Sequence, residues 1–268
     1  MRLWAAVQSG DLEEFKKAFH SKTTICEQTI GLILKNRRIE MLKYIISEGV
    51  SIPKSTTRVA IMNNDIESIK IIHESGNTIS PKICLIAAYY GSLDVLKYAH
   101  ETMNIALRSE YAAMAAGEGF IDCMVYMLEN GCPIDNLICR YAAISGNLDT
   151  LKIARQYNCP WDVDTPFSAA YYGNLDCLRY AHENGCPWDE ETCRSAAEHG
   201  HLNCLQYAHE NGCPWSCDIA LFAAKYGHLE CLRYALENGC PYDPKILSIC
   251  QQNYREECLN YIIEKYGR

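Results

Sequence analysis

The chain has 268 residues, 49% of them hydrophobic and 22% charged, with a formal net charge of −8. This is the composition of a soluble globular protein, and the acidic balance disfavours nucleic acid or an anionic membrane surface as the main partner. No apolar run approaches the roughly 18–20 residues that a membrane helix needs, and Met1-Arg2-Leu3-Trp4 runs on without the pattern of a signal peptide.

One spacing organises the sequence. Leu12, Ile39, Ile66, Leu93, Ile121, Leu148, Leu175, Leu202 and Leu229 hold one apolar position at intervals of 27 residues, with a single interval of 28 between Leu93 and Ile121. A fixed period of this size marks a stacked repeat architecture. The reading is an all-α solenoid of about ten helix-turn-helix units with short loops. It spans 1–268 as one array, with atypical capping units at about 1–32 and 250–268.

In chain order, residues 1–32 form the first unit, with Leu3 and Trp4 expected to pack under its first helix and a second helix from Leu12 to His20. The units at Ile33 and Ala60 keep the apolar skeleton but carry Arg37 and Asn64 where later units have glycine. Ser80-Pro81 and Asp243-Pro244 each put a capping residue before a proline, expected at the first helical position. The unit at Ala87 holds the extra residue within 102–108, which predicts a locally different connection. From Ala115 to Ile249 the units are most regular, repeating Cys-Pro and then Trp161, Trp188 and Trp215. In the unit at Ala169 the apolar positions recur every three or four residues, Asn184-Gly185 ends the helix, and Asp189 caps a next helix from Glu190 to about Glu198. The tryptophan stripe reads as inter-repeat core. His73, His100, His182 and His209 share one position on the second helix, read as exposed. The tail from Cys250 turns polar at Gln251, Gln252, Asn253 and Tyr254, as suits a terminal cap.

The period also accounts for most of the 16 cysteines. Cys132, Cys159, Cys186, Cys213 and Cys240 share one position; Cys123, Cys177, Cys204, Cys231 and Cys258 share another. Cysteine serves here as a small buried apolar residue. Equivalent positions lie a helix layer apart, beyond the roughly 7 Å reach of a disulfide, and free thiols suit a reducing compartment. Cys213 and Cys217 lack the second ligand pair of a zinc site. No phosphate loop, nucleophile elbow or H-E-x-x-H motif is present. The expectation is therefore no enzyme, no cofactor and no metal.

The pattern resembles ankyrin repeats. The resemblance lies in Ala223-Ala-Lys-Tyr-Gly-His-Leu-Glu-Cys-Leu-Arg-Tyr, in the Glu-Asn-Gly stop that follows, and in Thr165-Pro166-Phe167-Ser168-Ala169-Ala170, which is similar to the T-P-L-H opening of an ankyrin unit. The unit is shorter than the usual 33 residues, and the missing residues fall in the connection that forms the β-hairpin of ankyrins. Little or no strand is therefore expected. The Cys-Pro-Trp-Asp variant is similar to short ankyrin-type repeats encoded by giant DNA viruses of amoebae and by some protists. The resemblance implies a cytoplasmic protein–protein interaction module, in the host cell if the chain is viral.

It also implies that the two residues after each Ala-Ala face a concave groove. These positions vary while the framework does not, and they include Tyr89, Tyr90, Tyr171, Tyr172, Glu198, His199, Lys225 and Tyr226. Arg58, Arg140 and Arg194, one helical turn earlier, are expected to share the groove. The function read from this is a scaffold or adaptor holding an unidentified protein partner, with no nucleic acid, membrane or small-molecule ligand. A structural, self-assembling repeat protein and a substrate-recruiting subunit of a ubiquitin ligase are the alternatives.

Overall fold

The computed structural model describes residues 2–19 and 25–267. These residues form twenty helices and no strand. They fall into two compact units, Met1–Pro133 and Ile134–Arg268.

The first unit contains α1 (Arg2–Ser9), α2 (Leu12–Ala18), α3 (Glu27–Lys35), α4 (Ile39–Ser47), α5 (Lys54–Met62), α6 (Ile66–Glu74), α7 (Ile83–Tyr90), α8 (Leu93–Glu101), α9 (Ser109–Glu118) and α10 (Ile121–Glu129). The odd-numbered helices pack in one row and the even-numbered helices in another. The second unit repeats the plan with α11 (Leu137–Ser145), α12 (Leu148–Gln156), α13 (Asp164–Tyr171), α14 (Leu175–Glu183), α15 (Glu190–Glu198), α16 (Leu202–Glu210), α17 (Ile219–Tyr226), α18 (Leu229–Glu237), α19 (Lys245–Gln252) and α20 (Glu256–Tyr266). Among the described residues no helix is longer than 11 residues, and helices this short are marginal alone. Their stability comes from burying one face against the next pair.

Small residues set the spacing of the first row. Ala142-Ala143, Ala169-Ala170, Ala196-Ala197 and Ala223-Ala224 are fully buried where first helices meet. Leucines set the second row: Leu151, Leu178, Leu205 and Leu232 are also fully buried. In the first unit, bulkier Ile33-Leu34 and Ile61 take the first-row role.

Between the two helices of each repeat the chain turns through one left-handed residue. It is glycine at Gly10, Gly91, Gly119, Gly146, Gly173, Gly200 and Gly227, but Arg37 (φ 50°), Asn64 (φ 48°) and Tyr254 (φ 56°) adopt the same conformation. The turn is thus kept in the repeats that lack the glycine. Over the glycine lies a side chain from the start of the next repeat's second helix. A Cβ on Gly173 would fall 2.5 Å from His201 Nδ1, and one on Gly146 would fall 2.6 Å from Asn174 Oδ1. Asn174 uses this approach to donate to the carbonyls of Ala143 and Ile144 at 2.8 and 2.9 Å. Arg38 does the same to Val7 and Gln8 at 3.1 and 2.8 Å, and Arg255 to Lys225 at 3.0 Å. These carbonyls end a helix and have no partner within it.

Several expectations change. Trp4 is 54% exposed rather than packed under the first helix. His20, the expected end of α2, lies outside the described residues. Pro81 and Pro244 precede their helices instead of opening them, because the aspartate or serine before each proline caps through a tight turn: Asp243 accepts from the Lys245 amide at 2.8 Å. Asp189 caps α15 as expected, accepting from the Glu191 amide at 3.1 Å. The extra residue widens the turn after α8, where the Ile105 amide reaches back to the Ala99 carbonyl at 3.1 Å and Asn104 turns left-handed.

The tryptophans are not core. Trp188 and Trp215 are half-buried and lie flat on histidines of the preceding helix, with ring centroids 3.9 Å from His182 and 3.7 Å from His209. The Cys-Pro turn swings the indole back over the helix it follows, and the cysteine fills the buried position instead. That cysteine is also more than an apolar filler: the Cys186 and Cys213 thiols donate to the carbonyls of Asp162 and Asp189 in the preceding connection, at 3.3 and 3.1 Å. The histidines are not freely exposed either. His73, His182 and His209 each meet a tyrosine hydroxyl of the following repeat, Tyr98, Tyr207 and Tyr234, at 2.9–3.0 Å.

Two experiments check this packing. Gly185 is left-handed (φ 80°) with open space at its Cβ, whereas Gly173 (φ 74°) lies under His201. Gly185→Ala should cost about 1–2 kcal/mol from backbone strain alone. Gly173→Ala should cost clearly more, since His201 must also leave; urea unfolding of the two variants measures the difference. All cysteines are free, and only Cys26 and Cys217 are exposed. The Thr29 hydroxyl and nearby backbone amides hold the Cys26 thiol below its usual range, while burial pushes Cys177 up to about 12 and Cys204 up to about 11. Iodoacetamide at mildly alkaline pH should therefore label Cys26 first and Cys217 next in the folded protein, and all 16 cysteines only after denaturation, as read by intact mass.

Candidate protein-binding faces

In the first unit the candidate face is built on the last turn of α7. Ala87 and Ala88 are fully buried, so helical geometry turns the next two residues outward. Tyr89 is 41% exposed and Tyr90 half-buried, their rings near perpendicular with centroids 4.8 Å apart. Arg58, on α5, donates from Nη2 to the Tyr90 hydroxyl at 3.1 Å and holds its guanidinium 5.8 Å from the Tyr90 ring centre. Leu85 and Ile86 of α7 and Met114 of α9 complete an apolar floor, with Lys82 at the edge. The pocket they enclose holds about 280 Å³. Among the described residues neither Arg58 nor Lys82 is in an ion pair.

In the second unit the corresponding face centres on Tyr171. Its ring lies 3.8 Å from that of His199, 4.8 Å from Tyr172 and 6.0 Å from Phe167. Tyr172 is the more exposed of the two tyrosines at 52%. His199 Nδ1 donates to the Ser195 carbonyl at 3.0 Å, which fixes the ring against its own helix. Glu198, Arg194 and Glu191 line the same shallow pocket of about 180 Å³. Arg194 is ion-paired with Glu191 and lies 5.3 Å from the centre of the Phe222 ring.

The structure therefore brings together Tyr89, Tyr90 and Arg58 in one unit, and Tyr171, Tyr172, Glu198, His199 and Arg194 in the other. Lys225 and Tyr226 form a separate exposed pair at the end of α17, with the ammonium 5.1 Å from the ring centre. Arg140 joins neither pocket. It pairs with Asp164 at 3.1 Å, tying α11 to the first turn of α13. Sequence reasoning missed Lys82, Leu85, Ile86, Met114 and Phe167. They lie one or two turns before the tyrosines or their equivalents, and helical spacing from the tyrosines back along the same face would have found them.

Comparison with known proteins fits these observations. Residues 167–209 match the family model described as ankyrin repeats (many copies). The crystal structure of the human ASB11 ankyrin repeat domain is similar, with a TM-score of 0.53, at 17% identity over 66% of this chain and 96% of that one. No curated protein matches the chain. Residues 167–209 thus match ankyrin repeats by sequence, and the chain shares the fold of an ankyrin repeat domain over 66% of its length.

Proposed function

We propose that this protein is a non-catalytic adaptor that holds a protein partner against the tyrosine-bearing ends of its first helices. Ankyrin repeats are generally protein–protein interaction modules. The observation that carries the finer reading is the contrast at the Ala-Ala pairs. The alanines are fully buried in repeat after repeat, while the residues directly after them differ and expose Tyr89, Tyr171, Tyr172 and Tyr226 at 37–52%. Packing does not require aromatic side chains there. Tyrosine offers a large amphipathic contact surface and is enriched among residues that dominate binding energy.

Shallow faces suit a protein better than a small ligand, whose pockets usually enclose about 300–1,000 Å³. The net charge of −8 supports a protein over nucleic acid. A reducing, cytoplasmic setting belongs to the same proposal and is supported by a sequence with 16 free cysteines.

The test is capture from a lysate of the native cell under reducing conditions, beside the variant Tyr90→Ala/Tyr171→Ala/Tyr172→Ala with unchanged helicity. The adaptor reading expects a partner held by the parent and reduced at least about tenfold in the variant, since residues of this kind cost about 2 kcal/mol or more when truncated. Equal retention by both moves the site away from these tyrosines. Recovery of the protein with only itself overturns the adaptor reading in favour of self-assembly.

A further inference from the structure

The two faces differ in one respect that their tyrosines do not explain. In the second unit the arginines of the first helices are neutralised locally: Arg140 by Asp164 and Arg194 by Glu191. In the first unit Arg58 and Lys82 line the pocket with no carboxylate paired to either among the described residues. The chain as a whole carries a net charge of −8, so two uncompensated cations beside an apolar floor run against its overall balance.

We propose that the pocket of Leu85, Ile86, Tyr89 and Met114 anchors an acidic segment of a partner protein: a bulky apolar side chain enters the pocket while a neighbouring carboxylate pairs with Arg58 and Lys82. The proposal rests on the adaptor reading and names the chemistry of the partner. A volume of about 280 Å³ suits one or two side chains and falls just under the usual small-molecule range. Arg58 is already oriented. It spends one N–H on the Tyr90 hydroxyl and lies near that ring, which leaves the rest of its planar fork for a carboxylate, the geometry that guanidinium binds bidentately. Holding the side chain in place beforehand lowers the ordering cost of binding. Lys82 adds a second positive charge on the rim, where apolar walls strengthen attraction relative to open water.

The experiment selects short peptides from a random displayed library against the full chain, then measures the affinity of the best synthetic peptide by fluorescence anisotropy. The proposal expects sequences that place Asp or Glu beside Leu, Met or Phe. It expects the Kd to rise about tenfold in Arg58→Gln/Lys82→Gln, as for loss of a hydrogen bond to a charged group, with a weaker dependence on salt than the parent shows. Met114→Glu, which puts a negative charge into the floor, should reduce binding further. Arg58 and Lys82 are exposed and Met114 is half-buried, so helicity should be unchanged in the double variant and is checked in Met114→Glu. Selected peptides without acidic residues, or an affinity unmoved by the double variant, overturn the proposal. Peptides lost in Tyr171→Ala/Tyr172→Ala but unaffected in the first unit overturn it too and leave the adaptor reading intact. No enrichment over a bare support also overturns it, and lysate capture then decides the adaptor reading separately.

Discussion

The structure depends on one contact, made anew wherever a glycine forms the turn: the residue that opens a second helix lies against the left-handed turn of the repeat before it. The turn exposes the last carbonyls of a short helix, and a helix of two or three turns cannot leave those groups unpaired at little cost. Asn174, Arg38 and Arg255 supply the missing donor from the following repeat. Glycine at the turn meets two demands at once, since it accepts the left-handed backbone and leaves room for the incoming side chain. The bond that finishes one repeat is therefore also the bond that positions the next.

The repeats without glycine show that the contact, rather than the glycine, is the constraint. Arg37 and Asn64 carry side chains where the incoming group would lie, and the residues that follow them by one repeat are compact and buried: Asp65 at 5% and Ser92 at 1% exposure. Asp65 folds back to cap its own helix at the Ser68 amide and hydroxyl, at 3.2 and 2.6 Å. Bonds also run forward from these turns. Arg37 donates to the Asn63 carbonyl, and Asn64 engages both the Asp94 carboxylate at 2.9 Å and the Val95 amide at 3.2 Å. Ser92 still donates back to the Ile61 carbonyl, so at Asn64 neighbouring repeats are joined in both directions through the same turn.

The helices, their order and their ends were legible because a period of 27 repeats the same apolar spacing, and each glycine or Asp marks a boundary with a known backbone role. What the period concealed was contact between repeats. A position read as an exposed histidine and one read as a buried tryptophan belong to a single surface ladder, with His182 between Trp188 and Tyr207. The signal was present as a pair at fixed offset rather than as a residue. Arg155 stands at the histidine position and covers the Trp161 ring at 4.1 Å, and Phe19 stands there against Tyr44 with centroids 5.7 Å apart. These two replacements keep a flat group against the neighbour, whereas Ile46, Leu128 and Leu236 at the same position do not. The tyrosine faces were legible as outward-pointing positions. Their pocket floors were not, because Leu85, Ile86 and Met114 read as ordinary helix-face residues until the neighbouring helix shows which of them it leaves uncovered.

This division of labour explains where recognition can evolve in such a chain. Every residue that joins repeats is constrained twice, by its own helix and by the next, so a change at Ala170 or Asn174 disturbs two interfaces. The residues directly after each alanine pair are constrained by neither, and they are also the last turn of the first helix, where side chains of adjacent repeats come close enough to share a surface. Tyr171 reaching His199 across 3.8 Å is the result: a contact between repeats made outside the buried alanine and leucine rows. Charge is placed by the same freedom. Arg194 has Glu191 one turn away on its own helix, whereas α5 carries Arg58 with no acidic residue in its first turn. A single substitution per repeat can therefore set the sign of a face without touching the contacts that hold the repeats together.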